Sequence, residues 1–498
     1  MKSGTIIKNN IARKNGGGVV IENTSTGNSN NFTMEGGFIS GNQAVKNGGG
    51  IYNKSTLNLK GGTIGKTSTD EDWNKATDDS GKGGAIYQEG TCTMEGDIYV
   101  PFGYKERIND VYVMSPIKLT GALTKGSPSS PVMTLCRNYS YDWTTYNTGL
   151  SQDTDKSFIQ TYYKNFGLIQ RGNKDLYEIT LDSNYVGKIK KSTTYIEISG
   201  TEFTGSSTLT RGGDYSQVFI AGRSINIPDL YVGKYELTQG EYEKYCSYGK
   251  AGTQHGPPAS NFDTTENPSN YPAYGINWYD MFVYCNLRSM AEGLDPVYSF
   301  EGGETDPRKW PDVVKTGATG QEKYRGLAGQ NDDWDKITMD KTKNGWRLPT
   351  EAEWEYIAAN KNTSDTLYPG TNDLGTNGTY GWITTGDDTL DKPRQCGKCT
   401  NGVNGIMDLA GNVFEMCWDW YTTIDTGTSE DGGDIGDAVS KDGIKCKVVR
   451  GGGFTYGATA ATVIRPIQNA ISGSPVYNRI TDRWNNCGAR LVRTKVTP

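Results

Sequence analysis

A short glycine-rich phrase recurs at nearly constant spacing in the first hundred residues. It reads Asn-Gly-Gly-Gly from Asn15 and from Asn47, and it returns in looser form as Lys-Gly-Gly-Ala from Lys82, so that the intervals are 32 and 35 residues. A fixed interval of this length is typical of stacked structural repeats, in which each repeat contacts its neighbours. The spacing therefore predicts a repeat architecture for the N-terminal part of the chain.

A second phrase lies between the copies of the first. It spans Phe32–Ile39, Leu57–Ile64 and Cys92–Ile98, and in each copy apolar and polar residues alternate before a glycine. Alternation with period two predicts a strand with one buried face. Such strands, separated by Gly and Asn turns, predict a parallel β-solenoid over residues 1–100, whereas the alternative is a disordered Gly/Asn-rich tract. The phrases resemble the repeats of bacterial polymorphic adhesins.

Composition narrows the class of protein. The chain has 498 residues, which favours two or three domains, and its 65 glycines with 34% hydrophobic residues suit loop-rich or solenoid folds, in which Gly forms turns and Asn forms ladders. The net charge is -6, and the sequence contains no basic tract that could follow a phosphate backbone. Nucleic acid is therefore not an expected partner. No apolar segment is long enough for a membrane helix.

The start of the chain carries no signal peptide pattern and lies directly on a repeat. We therefore expect a chain that begins inside a longer bacterial protein, truncated at its N-terminus and either secreted or displayed at the cell surface. The alternative is a complete cytosolic protein.

The glycine-rich repeat ends near residue 100. Short alternating segments at Asp110–Met114, Phe158–Tyr162 and Leu176–Leu181 predict a β-rich cap over residues 101–195. Residues 196–214 are rich in Ser, Thr and Gly and are interpreted as a junction. The remaining chain, 215–498, is predicted to form one further domain.

Five separated motifs characterise this last domain. They are Tyr231–Gln239 (YVGKYELTQ), Gly345–Ala359 (GWRLPTEAEWEYIAA), Gly405–Tyr421 (GIMDLAGNVFEMCWDWY), Arg450–Phe454 (RGGGF) and Gly488–Val492 (GARLV). Their order and spacing resemble the formylglycine-generating, sulfatase-modifying family. That resemblance implies a C-type-lectin-like fold of mixed α and β structure with little regular secondary structure. The fold class of the whole chain is then mainly β plus α+β.

Local signals place three helices in this domain. Helices are predicted near Gln239–Cys246 and from Ile276 to Ala291. A third is predicted to begin after Thr350, whose side chain caps the helix together with Glu353 three residues later. These features specify the fold and not a chemical reaction.

The stretch Asp408–Glu415 (DLAGNVFE) resembles a calcium-binding loop of the family. The resemblance implies a structural calcium ion bound by the carboxylates of Asp408 and Glu415 and by the backbone oxygens of Gly411 and Val413. Calcium takes six to eight oxygen ligands in flexible geometry, so this set with water is sufficient. The alternative is a buried Glu and an Asp that caps a turn.

The family enzyme converts a substrate cysteine to formylglycine and uses two copper-binding thiolates. At those positions this chain has Tyr456 and Ala461, and Gly453 replaces an assisting serine. Thiolate is the soft ligand that copper(I) selects, so no copper site is expected. Iron enzymes of similar fold, such as the ergothioneine sulfoxide synthases, need several histidines. His255 is the only histidine here, so iron is not expected either.

Nine cysteines are present, with no spacing that indicates a disulfide framework. Cys396 and Cys399 form a single CxxC, which lacks a second pair for a structural zinc site. We expect a local disulfide or two free thiols there. Cys417 and Cys487 are interpreted as small buried apolar residues.

The segment 453–486, between the fourth and fifth motifs, is rich in Tyr, Arg, Asn, Ser and Trp. Rigid aromatic groups beside short polar ones are typical of binding surfaces. The segment also resembles variable regions of surface proteins diversified by retroelements, and the alternative is an ordinary polar loop. The predicted contacts to an unknown protein or glycan ligand are Phe454, Tyr456, Arg465, Gln468, Asn469, Tyr477, Asn478, Arg479 and Trp484.

Together these patterns predict a noncatalytic adhesin or binding protein that uses its C-terminal region to hold a ligand. The alternative is a sulfatase-modifying type of oxidoreductase with rearranged cysteines. Two thiols close together beside an open cleft would favour the enzyme, whereas dispersed and buried thiols would favour the binding protein.

Overall fold

The computed structural model describes the chain apart from residues 24–28, 66–72, 102–108, 127–131, 137–147, 153–156, 169–176, 182–186, 192–193, 206–214, 217, 249–266, 318–321, 362–365, 385–391, 423, 425, 427, 429–437, 456–460, 462–464, 467–476, 484–485 and 497–498. At a few further positions inside strands and helices only the backbone is described. The chain divides into two compact units, the first comprising residues 1–192 and the second most of residues 193–497.

The first unit consists almost entirely of strands. They are β1 (Ile6–Lys8), β2 (Ile11–Ala12), β3 (Val19–Ile21), β4 (Asn31–Ser40), β5 (Gln43–Ala44), β6 (Ile51–Asn53), β7 (Thr56–Ile64), β8 (Lys75–Ala76), β9 (Ile86–Gln88), β10 (Thr91–Tyr99), β11 (Val111–Val113), β12 (Ile117–Leu123), β13 (Met133–Cys136), β14 (Thr148–Gln152), β15 (Phe166–Leu168), β16 (Tyr177–Leu181) and β17 (Gly187–Lys191). One short helix, α1 (Ser157–Tyr162), and a 3-10 turn at Tyr163–Asn165 interrupt them.

These strands form three sheets whose neighbours are parallel. One sheet runs β1-β4-β7-β10-β12-β14 and then adds the antiparallel β17 and β16; the second runs β3-β6-β9-β11-β13-β15, and the third β2-β5-β8. The predicted strands at Phe32–Ile39, Leu57–Ile64 and Cys92–Ile98 lie within β4, β7 and β10, and their parallel pairing is confirmed.

The register places equivalent repeat positions side by side. Met34 pairs with Leu59, Leu59 with Met94, and Met94 with Leu119, and all four side chains are fully buried. Each apolar position thus stacks on its counterpart in the next repeat. The buried face of the period-two alternation is therefore the core of this unit.

An asparagine ladder crosses the repeats. The Asn42 side chain donates to Asn74 Oδ1 at 3.1 Å, and the Asn74 side chain donates to Asn109 Oδ1 at 3.1 Å. The ladder satisfies buried polar groups at the turns. In the glycine phrase, a Cβ on Gly17 would lie 2.3 Å from the Gly49 carbonyl oxygen, so the close approach of neighbouring repeats requires glycine there.

The parallel sheets continue past residue 100 as far as β14 and β15. Within this region the prediction of a strand at Phe158–Tyr162 is wrong, because these residues lie in helix α1. Ile159 is fully buried, and Phe158 and Tyr162, four residues apart on one helix face, pack against the core. The domain boundaries at residues 100, 195 and 214 stay predictions.

The second unit contains short strands and helices joined by long connections. The strands are β18 (Tyr195–Ile198), β19 (Thr201–Thr204), β20 (Tyr215–Ser216), β21 (Ser224–Ile227), β22 (Leu230–Gly233), β23 (Tyr298–Ser299), β24 (Val314–Thr316), β25 (Lys323–Arg325), β26 (Thr338–Met339), β27 (Trp346–Arg347), β28 (Gly381–Trp382), β29 (Ala410–Gly411), β30 (Phe414–Trp420), β31 (Ser440–Lys441), β32 (Ile444–Arg450), β33 (Arg465–Pro466), β34 (Tyr477–Arg479), β35 (Cys487–Gly488) and β36 (Val492–Thr494). The helices are α2 (Gln239–Tyr242), α3 (Trp278–Ala291), α4 (Asp332–Asp335) and α5 (Glu351–Ala358), with 3-10 turns at Pro268–Asn270, Glu301–Gly303 and Pro307–Lys309.

Two sheets organise this unit. One has the order β18-β22-β36-β27 and pairs a strand of the first motif with the terminal strand of the chain. The other contains β32, β30 and β35, with β34 paired to β32, and it carries the third, fourth and fifth motifs. Motifs that are far apart in the sequence therefore meet in two small sheets.

The predicted helix α5 begins as expected. Thr350 accepts from the Glu353 backbone at 3.1 Å, and the Glu353 side chain accepts from the Thr350 backbone at 2.9 Å. Helix α3 matches its prediction within two residues, whereas α2 is only four residues long and ends well before Cys246. Among the described residues, no helix is both long and apolar enough to span a membrane.

Candidate ligand-binding segment and acidic loop

An anchored arginine, Arg450, precedes the C-terminal segment 453–486. Arg450, at the end of β32, donates to Glu351 at 2.6 Å and to Glu355 at 3.1 Å, and all three side chains are about 1% exposed or less. Its guanidinium also lies 5.0 Å from the centre of the Trp354 ring. Both acidic partners come from helix α5, so the second and fourth motifs are joined by one buried ion-pair cluster.

After Arg450, the chain contacts the loop 408–415, which we call the acidic loop. The Gly411 backbone donates to the Gly451 carbonyl oxygen at 2.7 Å, and the Phe454 backbone donates to the Asn412 carbonyl oxygen at 2.7 Å. Gly451 has a φ of +87°, a conformation that a side chain would disfavour. The start of the C-terminal segment is therefore held against the acidic loop by backbone hydrogen bonds.

Two of the predicted ligand contacts are interior residues. Phe454 and Asn478 are each 2% exposed, and the Phe454 ring packs edge-on to Tyr274 with 6.4 Å between the ring centres. The expectation that these two side chains face a ligand is wrong, because packing already covers them.

The other predicted contacts lie at one partly exposed side chain, at two backbone positions and outside the described residues. The Arg479 side chain is 27% exposed and forms ion pairs with Asp442 and Asp482. Arg465 lies on β33 and Tyr477 on β34, and for these two residues only the backbone is described. The remaining predictions lie outside the described residues: Tyr456, Gln468, Asn469 and Trp484.

One of the two copper-ligand positions of the family lies in an apolar cluster. Ala461 is fully buried against Ala410, Ile383 and Leu374. The other position, Tyr456, lies outside the described residues. At Gly453, an added Cβ would lie 3.0 Å from the Phe414 ring, which leaves little room for the family serine.

All nine cysteines are free, and all but Cys396 are buried. Burial raises the pKa of Cys92 to about 12 and that of Cys446 to about 11. It also raises the pKa of Cys417 and Cys487 above the ordinary value. The neutral thiol is the stable form in these surroundings, and a thiol is a poor metal ligand and nucleophile.

Glu415 of the acidic loop is engaged by a cationic side chain. Arg490 of the fifth motif donates to both of its carboxylate oxygens, at 2.6 Å and 3.1 Å, and Trp354 donates to Oε2 at 2.7 Å. Glu415 is fully buried and Arg490 is 1% exposed. The charge of Glu415 is therefore neutralised by Arg490.

Asp408 occupies a different environment. It is 1% exposed and has a φ of +60°; its Oδ2 accepts from the Gly397 backbone, and the Cys399 thiol donates to it. Its Oδ1 has no hydrogen-bond partner within the described part of the chain. The CxxC turn thus packs on Asp408, and both of its cysteines are free thiols.

A third acidic residue, Glu236 of the first motif, lies under the same loop. Its carboxylate accepts from Asn412 Nδ2 at 2.6 Å and from the Val413 backbone at 3.1 Å. Burial, followed by the charges of Asp408 and Glu415, raises the pKa of Glu236 well above its usual value. Sequence reasoning did not single out Glu236, because its spacing from Asn412 is 176 residues.

The implied calcium set is partly engaged by protein donors. Both carboxylate oxygens of Glu415 accept hydrogen bonds, from Trp354 and Arg490, whereas Asp408 Oδ1 has no hydrogen-bond partner among the described residues. Within the described residues, no three His, Cys, Asp or Glu side chains are gathered where they could hold a metal ion. Calcium binding here remains a prediction from the family resemblance alone.

The second unit also has a surface groove of about 370 Å³, at which no predicted site residue lies. Its lining residues are Ile196, Glu197, Ile198, Asn360, Lys361 and Asn404. Asn404 donates to Asn360 Oδ1 at 2.6 Å, and Glu197 pairs with Lys495 at 2.8 Å. The side chains of Asn360, Asn404 and Glu197 are thus already engaged by protein partners.

Comparison with known proteins identifies relatives of the second unit. The family model of the sulfatase-modifying factor enzyme 1-like domain matches residues 188–495. The chain is 28% identical over 244 residues to the chaperone protein LppX of Paenibacillus barcinonensis, covering 45% of this chain and 75% of that protein. It is 33% identical over 98 residues to the formylglycine-generating enzyme of Thermomonospora curvata, covering 18% of this chain and about a third of that enzyme's length, 32%.

Solved structures of similar shape include Treponema denticola variable protein 1, with a TM-score of 0.44 and 23% identity over 64% of this chain and 99% of that one. PvdO from Pseudomonas aeruginosa has a TM-score of 0.39 and 15% identity, over 60% of this chain and 94% of that one.

Proposed function

Because the chain belongs to the sulfatase-modifying factor enzyme 1-like domain family but has Tyr456 and Ala461 where the family enzyme has copper-binding thiols, we propose that it is a noncatalytic binding protein. The ligand is a protein or a glycan, held by the C-terminal segment 453–486. The substitution of the thiol pair is the observation that carries this proposal.

The environment of the remaining thiols supports it. The family reaction needs two thiolates close together, and copper(I) selects thiolate over neutral groups. Here burial raises the pKa of Cys446 to about 11 and that of Cys487 above its ordinary value, and these are the cysteines nearest in sequence to the altered pair. Rearranged cysteines would therefore have to be deprotonated at a cost before they could hold copper.

The C-terminal segment supplies the chemistry of a binding surface instead. Arg479 is partly exposed and lies on β34, which pairs with β32 of the central sheet. A charged group on a strand is held more rigidly than one on a free loop, which lowers the entropy cost of binding. A relative named as a chaperone is consistent with a binding role for this family branch.

We further infer that the parallel sheets of the first unit are the faces of a right-handed β-solenoid, and that the second unit has a C-type-lectin-like fold. Stacked positions such as Met34, Leu59 and Met94, together with the asparagine ladder, support the solenoid. A repeat unit of this kind suits an adhesin that is displayed at the cell surface or secreted.

The proposal is tested by screening the whole chain on glycan and protein arrays. We expect saturable binding to one ligand class, weakened at least about tenfold by the double variant Tyr477→Ser with Arg479→Ala. Arg308→Ala is the matched control, because the Arg308 side chain is 28% exposed and pairs with Asp306 as Arg479 pairs with Asp442. It should leave binding unchanged.

A second assay addresses the enzyme alternative. The chain is incubated with a cysteine-containing sulfatase-type peptide, copper and oxygen, and the peptide aldehyde is measured by mass spectrometry. Aldehyde above the background without protein would overturn the proposal, whatever the arrays show.

A further inference from the structure

The first repeat of the chain, residues 1–21, forms one edge of all three parallel sheets. It contributes β1, β2 and β3, and each of these strands is the outermost member of its sheet within the described residues. Each strand also carries one apolar side chain that is at least 50% exposed, at Ile6, Ile11 and Val20. An outermost strand presents backbone groups to which a further strand can pair. The edge formed by the first repeat is therefore a candidate surface for strand addition.

The core of the first unit is only partly covered at the same edge. Ile7 and Val19 pack against the core but stay partly exposed. Their partners in the next repeat, Ile39 and Ile51, are fully buried, because a strand lies on either side of them. Burial of apolar surface would favour the addition of another strand layer beside the first repeat.

The asparagine ladder begins at this edge. Asn10 donates to Asn42 Oδ1 from its backbone at 3.0 Å and from its side chain at 2.9 Å. Asn42 makes the same two bonds to Asn74 Oδ1, at 3.0 Å and 3.1 Å. In the described part of the chain, no group donates to Asn10 Oδ1. This oxygen can therefore accept from an asparagine in a parallel strand layer placed beyond the first repeat.

The glycine phrase has the same polarity as the ladder. The backbone N–H groups of residues 48–50 donate to the carbonyl oxygens of residues 82–84 at 2.9 to 3.1 Å. By equivalence, the carbonyl oxygens of residues 15–17 face the edge of the first repeat. A Cβ on Gly49 would lie 2.4 Å from the Lys75 carbonyl oxygen, so an added layer needs glycine at this position to approach closely.

Charge favours a partner other than a second copy of this chain. The first repeat contains no acidic residue and four basic ones, Lys2, Lys8, Arg13 and Lys14. Lys2 pairs with Glu35 of the next repeat, and Lys60 pairs with Glu95 at 2.9 Å, so opposite charges meet between repeats. Two copies that met at this edge would bring like charges together, which is destabilising. A strand with an acidic residue equivalent to Glu35 would instead place it beside Lys2.

We propose that the edge of β1, β2 and β3 binds, in parallel orientation, an extended segment of a separate polypeptide that carries the repeat pattern of this unit. The pattern is an alternating apolar and polar strand with an acidic residue, then an asparagine at the first turn and glycines at the second. The added segment continues the interface that already joins neighbouring repeats. This interaction is independent of the ligand site proposed for the second unit.

The probe for this proposal is a synthetic peptide of residues 31–53, which contains Glu35, Asn42 and the glycines of one whole repeat. The peptide carries a fluorophore, and its anisotropy is followed as the whole chain is added. We expect saturable binding that is weakened by salt. The matched control is the same peptide with Gly49→Ala, whose Cβ would collide with a carbonyl oxygen of the first repeat. Absence of binding, or equal binding of the two peptides, would rule the proposal out.

Variants of the whole chain locate the site. Asn10→Ala changes an exposed residue and should weaken peptide binding about fivefold, which corresponds to one hydrogen bond. Asn58→Ala is the control, because Asn58 lies on the inner strand β7 and bonds there to Asn31 and Thr93. It should leave peptide binding unchanged, and equal losses in the two variants would contradict the proposed site.

Sedimentation of the chain without peptide tests the other occupant of this edge. We expect a monomer, because the basic residues of the first repeat repel those of a second copy. A dimer that Asn10→Ala weakens would show that a second copy of the chain fills the edge, and the proposal of a separate polypeptide would then be wrong.

Discussion

The side-chain nitrogen of Lys447 lies 4.1 Å from the centre of the Trp420 ring and 4.3 Å from the centre of the Trp418 ring. The lysine is 1% exposed and donates to the Trp418 carbonyl oxygen. Burial lowers the pKa of Lys447 to about 7, although Asp419 and Asp335 oppose the shift. The aromatic rings compensate only part of the lost hydration.

The lowered pKa of Lys447 predicts that the stability of the folded chain depends on pH. The unfolded chain binds the Lys447 proton more tightly than the folded chain does, so its contribution to folding becomes more favourable as pH rises above about 7. The free energy of unfolding should therefore increase relative to Lys447→Met by about 2 kcal/mol between about pH 7 and pH 8.5. Urea titrations of both proteins at the two pH values measure this difference.

The control for this prediction is Lys336→Met, which removes an exposed lysine that pairs with Asp333. It should leave the pH dependence of the wild-type chain unchanged. A parallel pH dependence in the wild-type chain and Lys447→Met would show that Lys447 keeps its charge throughout.

We expect a strong energetic coupling between Arg450 and the two acidic residues of helix α5 with which it pairs. Arg450→Met leaves Glu351 and Glu355 buried without their cation, which should cost about 3–5 kcal/mol. Replacing both acids by Gln in the same chain should recover a large part of that loss, because no uncompensated charge then remains. A double-mutant analysis by denaturant unfolding checks this; purely additive losses would mean that the three groups do not act as one cluster.

Substitution of Asn74 tests how much the asparagine ladder contributes to the stability of the first unit. Its Oδ1 accepts from the Asn42 backbone at 3.0 Å, and its side chain donates to the Ile39 carbonyl oxygen at 2.8 Å. Asn74→Ala leaves these buried groups without hydrogen-bond partners. We therefore expect the free energy of unfolding of the first unit to fall by about 2–3 kcal/mol. Hydrogen exchange of the backbone amides in β4 and β7 measures this loss of stability. Asn58→Ala removes a ladder at the surface and should cost less than about 1 kcal/mol.

The burial of the thiols predicts the order in which an alkylating agent modifies them. Cys396 is the partly exposed thiol, whereas the other eight are buried. In the native chain near neutral pH, an alkylating agent should modify Cys396 first, because its thiol is partly exposed even though burial raises its pKa as well. Cys417 and Cys487 should react only on unfolding, because they are buried and their thiolates are disfavoured. Peptide mass spectrometry over time reports the order. Early modification of Cys417 or Cys487 would instead indicate an accessible reactive cysteine and support the enzyme alternative.

Several features follow from local sequence because their partners are close or periodic. The pairing of Met34 with Leu59 repeats the alternation seen in the glycine-bounded phrases, and the box of Thr350 and Glu353 needs residues only three positions apart. Such patterns reflect strand and helix geometry, which is the same in every protein. The failure at Phe158–Tyr162 arose where a short apolar run suits either a strand or a helix.

By itself, the sequence of this protein determined the parallel strands of the first unit, the start of α5, the family of the second unit and the substitution of its copper-binding thiols. Only the tertiary structure decided that Arg490 neutralises Glu415, 75 residues away, that Glu236 lies under the acidic loop, and that Phe454 and Asn478 are interior. The physical reason is that burial and ion pairing depend on which distant segments pack together. No local period encodes that choice, so the sequence of the loop could not predict the guanidinium that pairs with Glu415.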